Sequence, residues 1–189
     1  MPNQVTPISF AVNDITLAGQ RWHNGDGWRV LCLHGWLDNS ESFALLAPLL
    51  DDCDVVAFDM AGHGQSDHRS RHGGYNIWDD HIDIEAVADM LGWDRFVLLG
   101  HSRGAISSFL FSTAMPERVQ RLVLLDGLFP PNRELRTAPE QLRAFLTQRS
   151  RILRKQRRVY GSVEEAFSSR KMLEALTRGD ALGMVGGER

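Results

Sequence analysis

The sequence contains little cysteine, and its few cysteines do not form a recognisable motif. Cys32 and Cys53 are the only two among 189 residues, and each lies in or at the start of an apolar segment. A free thiol in such a segment behaves as a small hydrophobic side chain. We therefore interpret neither as a metal ligand nor as half of a redox pair, and nothing in this pattern indicates an oxidising compartment.

An excess of charge of one sign and a long apolar run are also missing. The formal net charge is −3 and the isoelectric point is near 6.1, so the surface as a whole does not attract nucleic acid or anionic lipid. No run of 18 apolar residues occurs, and the first ten residues lack a basic segment followed by an apolar one. We expect a cytoplasmic protein with no nucleic-acid partner and no membrane association.

Extended segments are present in two kinds. Residues 4–11 and 15–23 alternate apolar and polar side chains across a break at Asn13 and Asp14, a pattern typical of an antiparallel hairpin near a sheet edge. Four later segments are almost continuously apolar, as strands buried on both faces of a parallel sheet are. These four are residues 28–33, 54–59, 95–100 and 121–126.

Segments with helical periodicity lie between these strands. They are predicted at residues 39–50, 78–91 and 103–114. The apolar side of the second segment is formed by Ile82, Ile84, Val87 and Leu91. Alternation of strand and helix predicts an α/β protein with a mostly parallel, doubly wound sheet of about six strands. In such folds, ligand sites lie at the carboxyl ends of the strands.

The character of the chain changes after this core. We divide it into a core at residues 1–130 and a helical cap or lid at residues 131–189. In the cap, Ser162 and Glu165 form a predicted capping box at the start of a helix. The basic residues between 149 and 158 point in several directions around a predicted helix, which favours a solvated face over a phosphate-binding groove.

The strongest chemical signal is the segment Gly100-His101-Ser102-Arg103-Gly104, which lies directly between a predicted strand and a predicted helix. A serine on so sharp a turn is presented at a helix N-terminus, where the helix dipole and free N–H groups stabilise developing negative charge. The two glycines are expected because side chains there would collide. The alternative is an ordinary glycine-rich turn in which Ser102 only caps the helix.

A second motif, Leu33-His34-Gly35-Trp36, follows an earlier buried strand. A nucleophile on such a turn needs two backbone N–H donors for the oxyanion, one from the residue after it and one from this loop. Arg103 and Trp36 are the predicted donors. His34 is interpreted as a brace for the loop, with a catalytic base as the alternative, and the Trp36 side chain as a core or pocket aromatic.

A third motif, residues 59–67, is a glycine-rich loop in which Asp59 and Ser66 are expected to bond nearby backbone. Together, and in this order, the motifs LHGW, FDMAGHGQSD, GHSRG and LVLLDG resemble the α/β-hydrolase superfamily, in particular its serine-hydrolase-like, esterase-like branch. The resemblance covers residues 10–130 with specific motifs and residues 131–175 only loosely.

The resemblance implies cofactor-free, metal-free hydrolysis of a small-molecule carboxylic ester through an acyl-serine. It implies Ser102 as nucleophile and Trp36 with Arg103 as the oxyanion hole, and it places His34, Gly35 and His101 in the surrounding motifs. This chain departs from the commonest pattern because Arg103 replaces an apolar residue, which puts a cation beside the site.

The resemblance also implies residues that this chain does not supply. The family places its catalytic histidine after the eighth strand, and none of the seven histidines here occupies that position. Asp126, at the end of the sixth predicted strand, is a candidate for the acid that orients the histidine. In the alternative, Asp126 only caps the turn and the acid lies beyond residue 189.

The chain is accordingly expected to be truncated before the last two strands, and we favour a fragment of a longer protein. If it is the whole polypeptide, we expect little acyl transfer and a homodimer that buries an exposed sheet edge. Two rival functions are a catalytically inactive binding or interaction protein and a hydrolase of C–C bonds. Epoxide and carbon–halogen hydrolysis are disfavoured because relatives with those activities usually carry aspartate where Ser102 stands.

Overall fold

The computed structural model describes residues 5–70 and 73–127, together with residues 143, 147, 160–162, 164, 165 and 168. Six strands form one sheet in the order β1-β2-β4-β3-β5-β6. The strands are β1 (Val5–Val12), β2 (Ile15–His23), β3 (Trp28–Leu33), β4 (Cys53–Phe58), β5 (Phe96–His101) and β6 (Val119–Leu125).

The sheet is mostly parallel. The strands β3 to β6 run parallel to one another, whereas β1 and β2 form an antiparallel hairpin at one edge and β2 also pairs antiparallel with β4. The predicted α/β class, the hairpin and the four later strands are confirmed. The burial predicted for residues 121–126 was wrong, because β6 is the last strand in the sheet order and none of its residues is buried, with Val123 and Leu125 about 40% exposed. Because β3 and β5 are parallel neighbours, the loops after Leu33 and His101 emerge at the same edge of the sheet.

Two α-helices, α1 (Ile77–Met90) and α2 (Arg103–Ala114), follow β4 and β5. Ile84 and Val87 of α1 and Phe111 of α2 belong to one buried cluster with alternate strand residues such as Leu31 and Leu98. The remaining inward residues of the strands form a second cluster on the opposite face. The two α-helices therefore cover one face of the sheet.

The segment 39–50, predicted as one helix, is instead two 3-10 helices, Ser40–Phe43 and Ala47–Leu49. Proline explains the difference, since Pro48 has no amide hydrogen and its ring would clash with the carbonyl of Ala44 in an α-helix. The segment nevertheless covers the second face of the sheet, because Phe43 and Ala47 are buried there.

The apolar side predicted for α1 was wrong at one position. Ile82 is exposed, whereas Ile84 and Val87 are buried. Residues two apart lie on different sides of an α-helix, so Ile82 and Ile84 do not share a face. The buried side instead includes two carboxylates, Asp80 and Asp83.

The chain divides into two compact units, Met1–Glu134 and Leu135–Arg189. The predicted cap at residues 131–189 lies mostly outside the described residues, so its role stays a prediction. The hydroxyl oxygen of Ser162 accepts a 3.2 Å hydrogen bond from the amide of Glu165, as predicted, but the Glu165 carboxylate accepts from the amide of Gly161 instead. In the part of the chain that the structure describes, no helix is long and apolar enough to cross a membrane.

Candidate active site

Ser102 occupies a sharp bend between β5 and α2. It is a non-glycine residue with φ 52° and ψ −113°, a conformation that costs of the order of 1–3 kcal/mol and is retained where the surrounding structure enforces it. The strand ends at His101 and the helix begins at Arg103. Ser102 is only partly buried, so the bend leaves this serine accessible at the carboxyl edge of the sheet.

The glycines on either side of Ser102 are sterically required. A Cβ atom on Gly100 would overlap the backbone of Gly104, and a Cβ atom on Gly104 would overlap the carbonyl group of Leu33 at the end of β3. The helix can therefore pack against the strands only because both positions lack a side chain. This steric requirement accounts for the predicted spacing of glycine two residues before and two after the serine.

The loop after β3 lies directly against this bend. A Cβ atom on Gly35 would stand 3.1 Å from Nδ1 of His101 and 3.4 Å from Cβ of Ser102. Trp36, the next residue, is therefore close to the serine, and Arg103 is the first residue of α2, where amide N–H groups have no acceptor within the helix. The structure thus brings together the two residues whose amides were predicted to bind an oxyanion.

His34 is fully buried and both of its ring nitrogens contact backbone groups. Its Nδ1 lies 2.7 Å from the carbonyl oxygen of Gly35, and its Nε2 accepts a 2.9 Å hydrogen bond from the amide of Met60. Burial is the main cause that lowers the pKa of His34. The neutral ring with its proton on Nδ1 satisfies both contacts, and neither nitrogen remains for proton transfer to Ser102.

The glycine-rich loop after β4 is organised by Asp59. One carboxylate oxygen of Asp59 accepts from the amide of Ser40 at 2.7 Å and the other from the amide of Gln65 at 2.8 Å. The hydroxyl of Ser66 donates to the carbonyl of Asp59 at 2.6 Å. These bonds use the side chains of Asp59 and Ser66 to hold backbone groups of the loop and of the first 3-10 helix, the structural role expected for the motif.

The side chain of Arg103 is held by Asp80, a residue of α1. Nε and Nη2 of Arg103 donate to the two carboxylate oxygens at 2.8 to 3.1 Å. Asp80 is only 6% exposed, and burial raises its pKa while Arg103 opposes the increase. Asp80 was not identified from the sequence. Its position four residues before Ile84, on the buried side of the predicted helix, could have indicated it.

Two aromatic rings, from the loops after β3 and β4, lie next to the Arg103 guanidinium or to each other. The guanidinium carbon of Arg103 lies 4.9 Å from the centre of the Trp36 ring. The centre of the His63 ring lies 5.2 Å from the centres of the Trp36 and His34 rings. His63 is a second residue beside the site that was not identified from the sequence. The Trp36 side chain is 52% exposed, so it lies at the surface beside the site and is not a core residue.

Asp126 follows β6 and has φ 51°, a left-handed conformation that aspartate tolerates better than most residues. The next residue, Gly127, is close enough that a Cβ atom on it would lie 2.7 Å from the carbonyl oxygen of Ser102. Asp126 is exposed. The structure therefore places it beside the bend, directly after the strand neighbouring β5.

One cavity lies elsewhere, with a volume of about 560 Å³. It is bounded by the β1–β2 hairpin, the first 3-10 helix and the loop after β4, and neither Ser102, Trp36 nor Arg103 lines it. Polar groups at its wall include Gln20, Glu41 and Asp59.

Comparison with known proteins shows matches along most of the chain. A family model described as the alpha/beta hydrolase fold matches residues 29–176. Two human relatives are similar. Serine hydrolase-like protein 2 is 35% identical over 184 residues, which are 95% of this chain and 57% of that protein. The human serine hydrolase-like protein is 41% identical over 66% of this chain and 62% of its own length.

The chain is also similar to solved structures. A hypothetical protein from Pseudomonas aeruginosa PAO1 is 44% identical with a TM-score of 0.80, covering 88% of this chain and 59% of that one. A thioesterase domain from the curacin biosynthetic pathway is 25% identical with a TM-score of 0.70, covering 82% and 54% respectively. The chain thus spans less than two thirds of the length of the proteins it resembles.

Proposed function

Because this chain belongs to the α/β-hydrolase fold family, we propose that Ser102 is the nucleophile of a serine hydrolase that acts on small-molecule carboxylic esters. The observation that carries the proposal is the strained, partly exposed Ser102 between β5 and α2, with the Gly35 loop packed against it. The names of the human serine hydrolase-like relatives support hydrolysis through serine. The ester as substrate rests on the resemblance of the motifs.

The proposed reaction begins when the Ser102 hydroxyl loses its proton to a general base and its oxygen attacks the ester carbonyl carbon. The carbonyl oxygen then becomes an oxyanion, which the backbone amides of Trp36 and Arg103 stabilise. Collapse of this intermediate breaks the bond to the alcohol oxygen, which takes up the proton. Water then hydrolyses the acyl-serine and regenerates the hydroxyl.

Asp126 is the proposed acid that orients the base, because it directly follows the strand next to β5 and its neighbour Gly127 lies against the Ser102 backbone. His34 does not suit the role of base, since both its ring nitrogens contact backbone. We therefore propose that His34 is not the base, and no other histidine of this sequence is assigned to that role. These 189 residues alone are then expected to be acylated slowly and not to turn over.

Incubation with p-nitrophenyl acetate and intact-protein mass spectrometry tests the proposal. We expect one acetyl group per chain, mapped to Ser102 by peptide analysis, and none in Ser102→Ala. Ser112→Ala is the matched control, because Ser112 lies on the same helix and its hydroxyl donates to the carbonyl of Phe109.

Equal acetylation of Ser102→Ala and the original chain, or no acetylation of either, would overturn the proposal. Sustained turnover that Ser102→Ala abolishes would keep Ser102 as nucleophile and show that a base lies within these residues.

A further inference from the structure

Arg103 places a positive charge one residue after the proposed nucleophile. An unpaired guanidinium at this point would bind a carboxylate or phosphate on an incoming ligand, since its planar donors match such groups. The structure shows that two of the three guanidinium nitrogens are already used. Nε and Nη2 contact both oxygens of Asp80, and the guanidinium lies over the ring of Trp36.

Asp80 is hydrogen-bonded to Arg103. The neighbouring buried carboxylate on α1, Asp83, is paired with Arg69, which also donates to the carbonyl of Asp79. Asp80 itself has a buried carboxylate in a two-pronged geometry with Arg103. Removal of one partner of such a pair leaves the other charge without compensation.

We propose that Asp80 is a positioning residue that neutralises Arg103 and holds its guanidinium against Trp36, so that the Ser102 site favours uncharged ligands over anionic ones. The inference rests on the proposed function of Ser102 and adds a substrate class to it. The contacts place Asp80 behind Arg103, and Arg103 between Asp80 and the Trp36 ring. A ligand carboxylate must therefore compete with Asp80 for Nε and Nη2 of Arg103, and it meets a guanidinium whose charge Asp80 already balances.

Two fluorophosphonate probes of equal chain length test this selectivity, one ending in a methyl ester and the other in a carboxylate. Both form a bond between the serine oxygen and phosphorus and release fluoride, so neither requires turnover. In Asp80→Asn, we expect the ratio of labelling rates, anionic over neutral, to rise about tenfold, because Arg103 keeps its charge and loses its counterion.

Asp54→Asn is the matched control. Asp54 is also 6% exposed and makes a two-pronged bond to a guanidinium, that of Arg21. It lies near the start of β4, at the opposite edge of the sheet from Ser102. We expect no change in the ratio. The double variant Asp80→Asn/Arg103→Met should return the ratio to that of the original chain, because it removes both charges.

An unchanged ratio in Asp80→Asn, or an equal rise in Asp54→Asn, would overturn the inference. If no variant is labelled at Ser102, the proposed function has failed, and a second measurement still tests the charge at Arg103. The fluorescence of Trp36, obtained by subtracting the spectrum of a Trp36→Phe version of each variant, is quenched with iodide and with neutral acrylamide.

Iodide is an anion, so its quenching relative to acrylamide reports the charge near Trp36. We expect the iodide-to-acrylamide ratio of quenching constants to rise about twofold in Asp80→Asn and to stay constant in Asp54→Asn. A constant ratio in Asp80→Asn would overturn the inference whatever the labelling result.

Discussion

The amide of Ser102 donates a hydrogen bond of 2.9 Å to the carbonyl oxygen of Leu125. This bond joins the bend after β5 to the end of β6, the strand that Asp126 follows. The conformation of Ser102 is thus maintained by the sheet on one side and by the packing of Gly104 against β3 on the other.

Gly104→Ala is expected to destabilise the fold by about 3 kcal/mol, because the added methyl group overlaps the Leu33 carbonyl in a tightly packed interface. Urea unfolding measures this free energy. Gly92→Ala is the control. Gly92, unlike Gly104, has a positive φ, +68°, and no atom lies within 4 Å of its added Cβ, so the backbone conformation alone opposes alanine there and we expect a loss of about 1 kcal/mol. Equal losses of unfolding free energy in the two variants would contradict the claim that overlap with Leu33 destabilises Gly104→Ala.

His34→Gln is expected to lower the free energy of unfolding by about 3 kcal/mol, since it disturbs two buried contacts to backbone. The folded fraction should still react at Ser102 with a fluorophosphonate. If His34 were instead the base, its replacement would abolish labelling of the folded fraction as well. Parallel urea unfolding and labelling experiments distinguish these results.

Asp126→Asn separates the proposed acid from a role in the turn, because asparagine also tolerates a positive φ. We expect the free energy of unfolding to change by less than about 0.5 kcal/mol. In any form of the protein that turns over p-nitrophenyl acetate, we expect kcat to fall by about a thousandfold. An unchanged kcat would assign Asp126 to the turn alone.

Asp83 makes the stability of the fold depend on pH. Burial raises its pKa to about 6, although Arg69 opposes the increase. The folded state therefore holds this proton more tightly than the unfolded chain, so the contribution of Asp83 to stability is greatest below about pH 4 and decreases as the pH rises to about 6.

Asp83→Asn removes this titration. Urea unfolding across the pH range should show the stability of the original chain, relative to Asp83→Asn, decreasing by up to roughly 3 kcal/mol between about pH 4 and pH 7. Comparison with the variant cancels the contributions of other groups, such as His34, whose lowered pKa acts in the opposite direction. Parallel stability curves for the two proteins would contradict the assignment.

The sheet and the bend at Ser102 were predictable because their signals are local. Continuous apolar runs such as 28–33 are typical of strands in a parallel sheet, and the glycine at 100 follows from steric overlap with Gly104 within the motif, although the overlap at Gly104 is with Leu33 of another strand. The segment 39–50 was less predictable, because apolar spacing alone does not distinguish an α-helix from successive 3-10 turns.

The contacts that organise the site were not predictable in the same way. Arg103 was recognised as an unusual cation, but its partner Asp80 lies 23 positions away and meets it only through the packing of α1 beside α2. His63 likewise joins Trp36 to His34 across separate loops. No spacing rule connects such residues, so the neutralisation of Arg103 emerged only from the structure.

The most direct test of the account is covalent labelling of this chain with a neutral fluorophosphonate, followed by peptide mapping. The account predicts a single adduct on the Ser102 oxygen, lost in Ser102→Ala and retained in Ser112→Ala. An adduct on another residue, or undiminished labelling of Ser102→Ala, would contradict it.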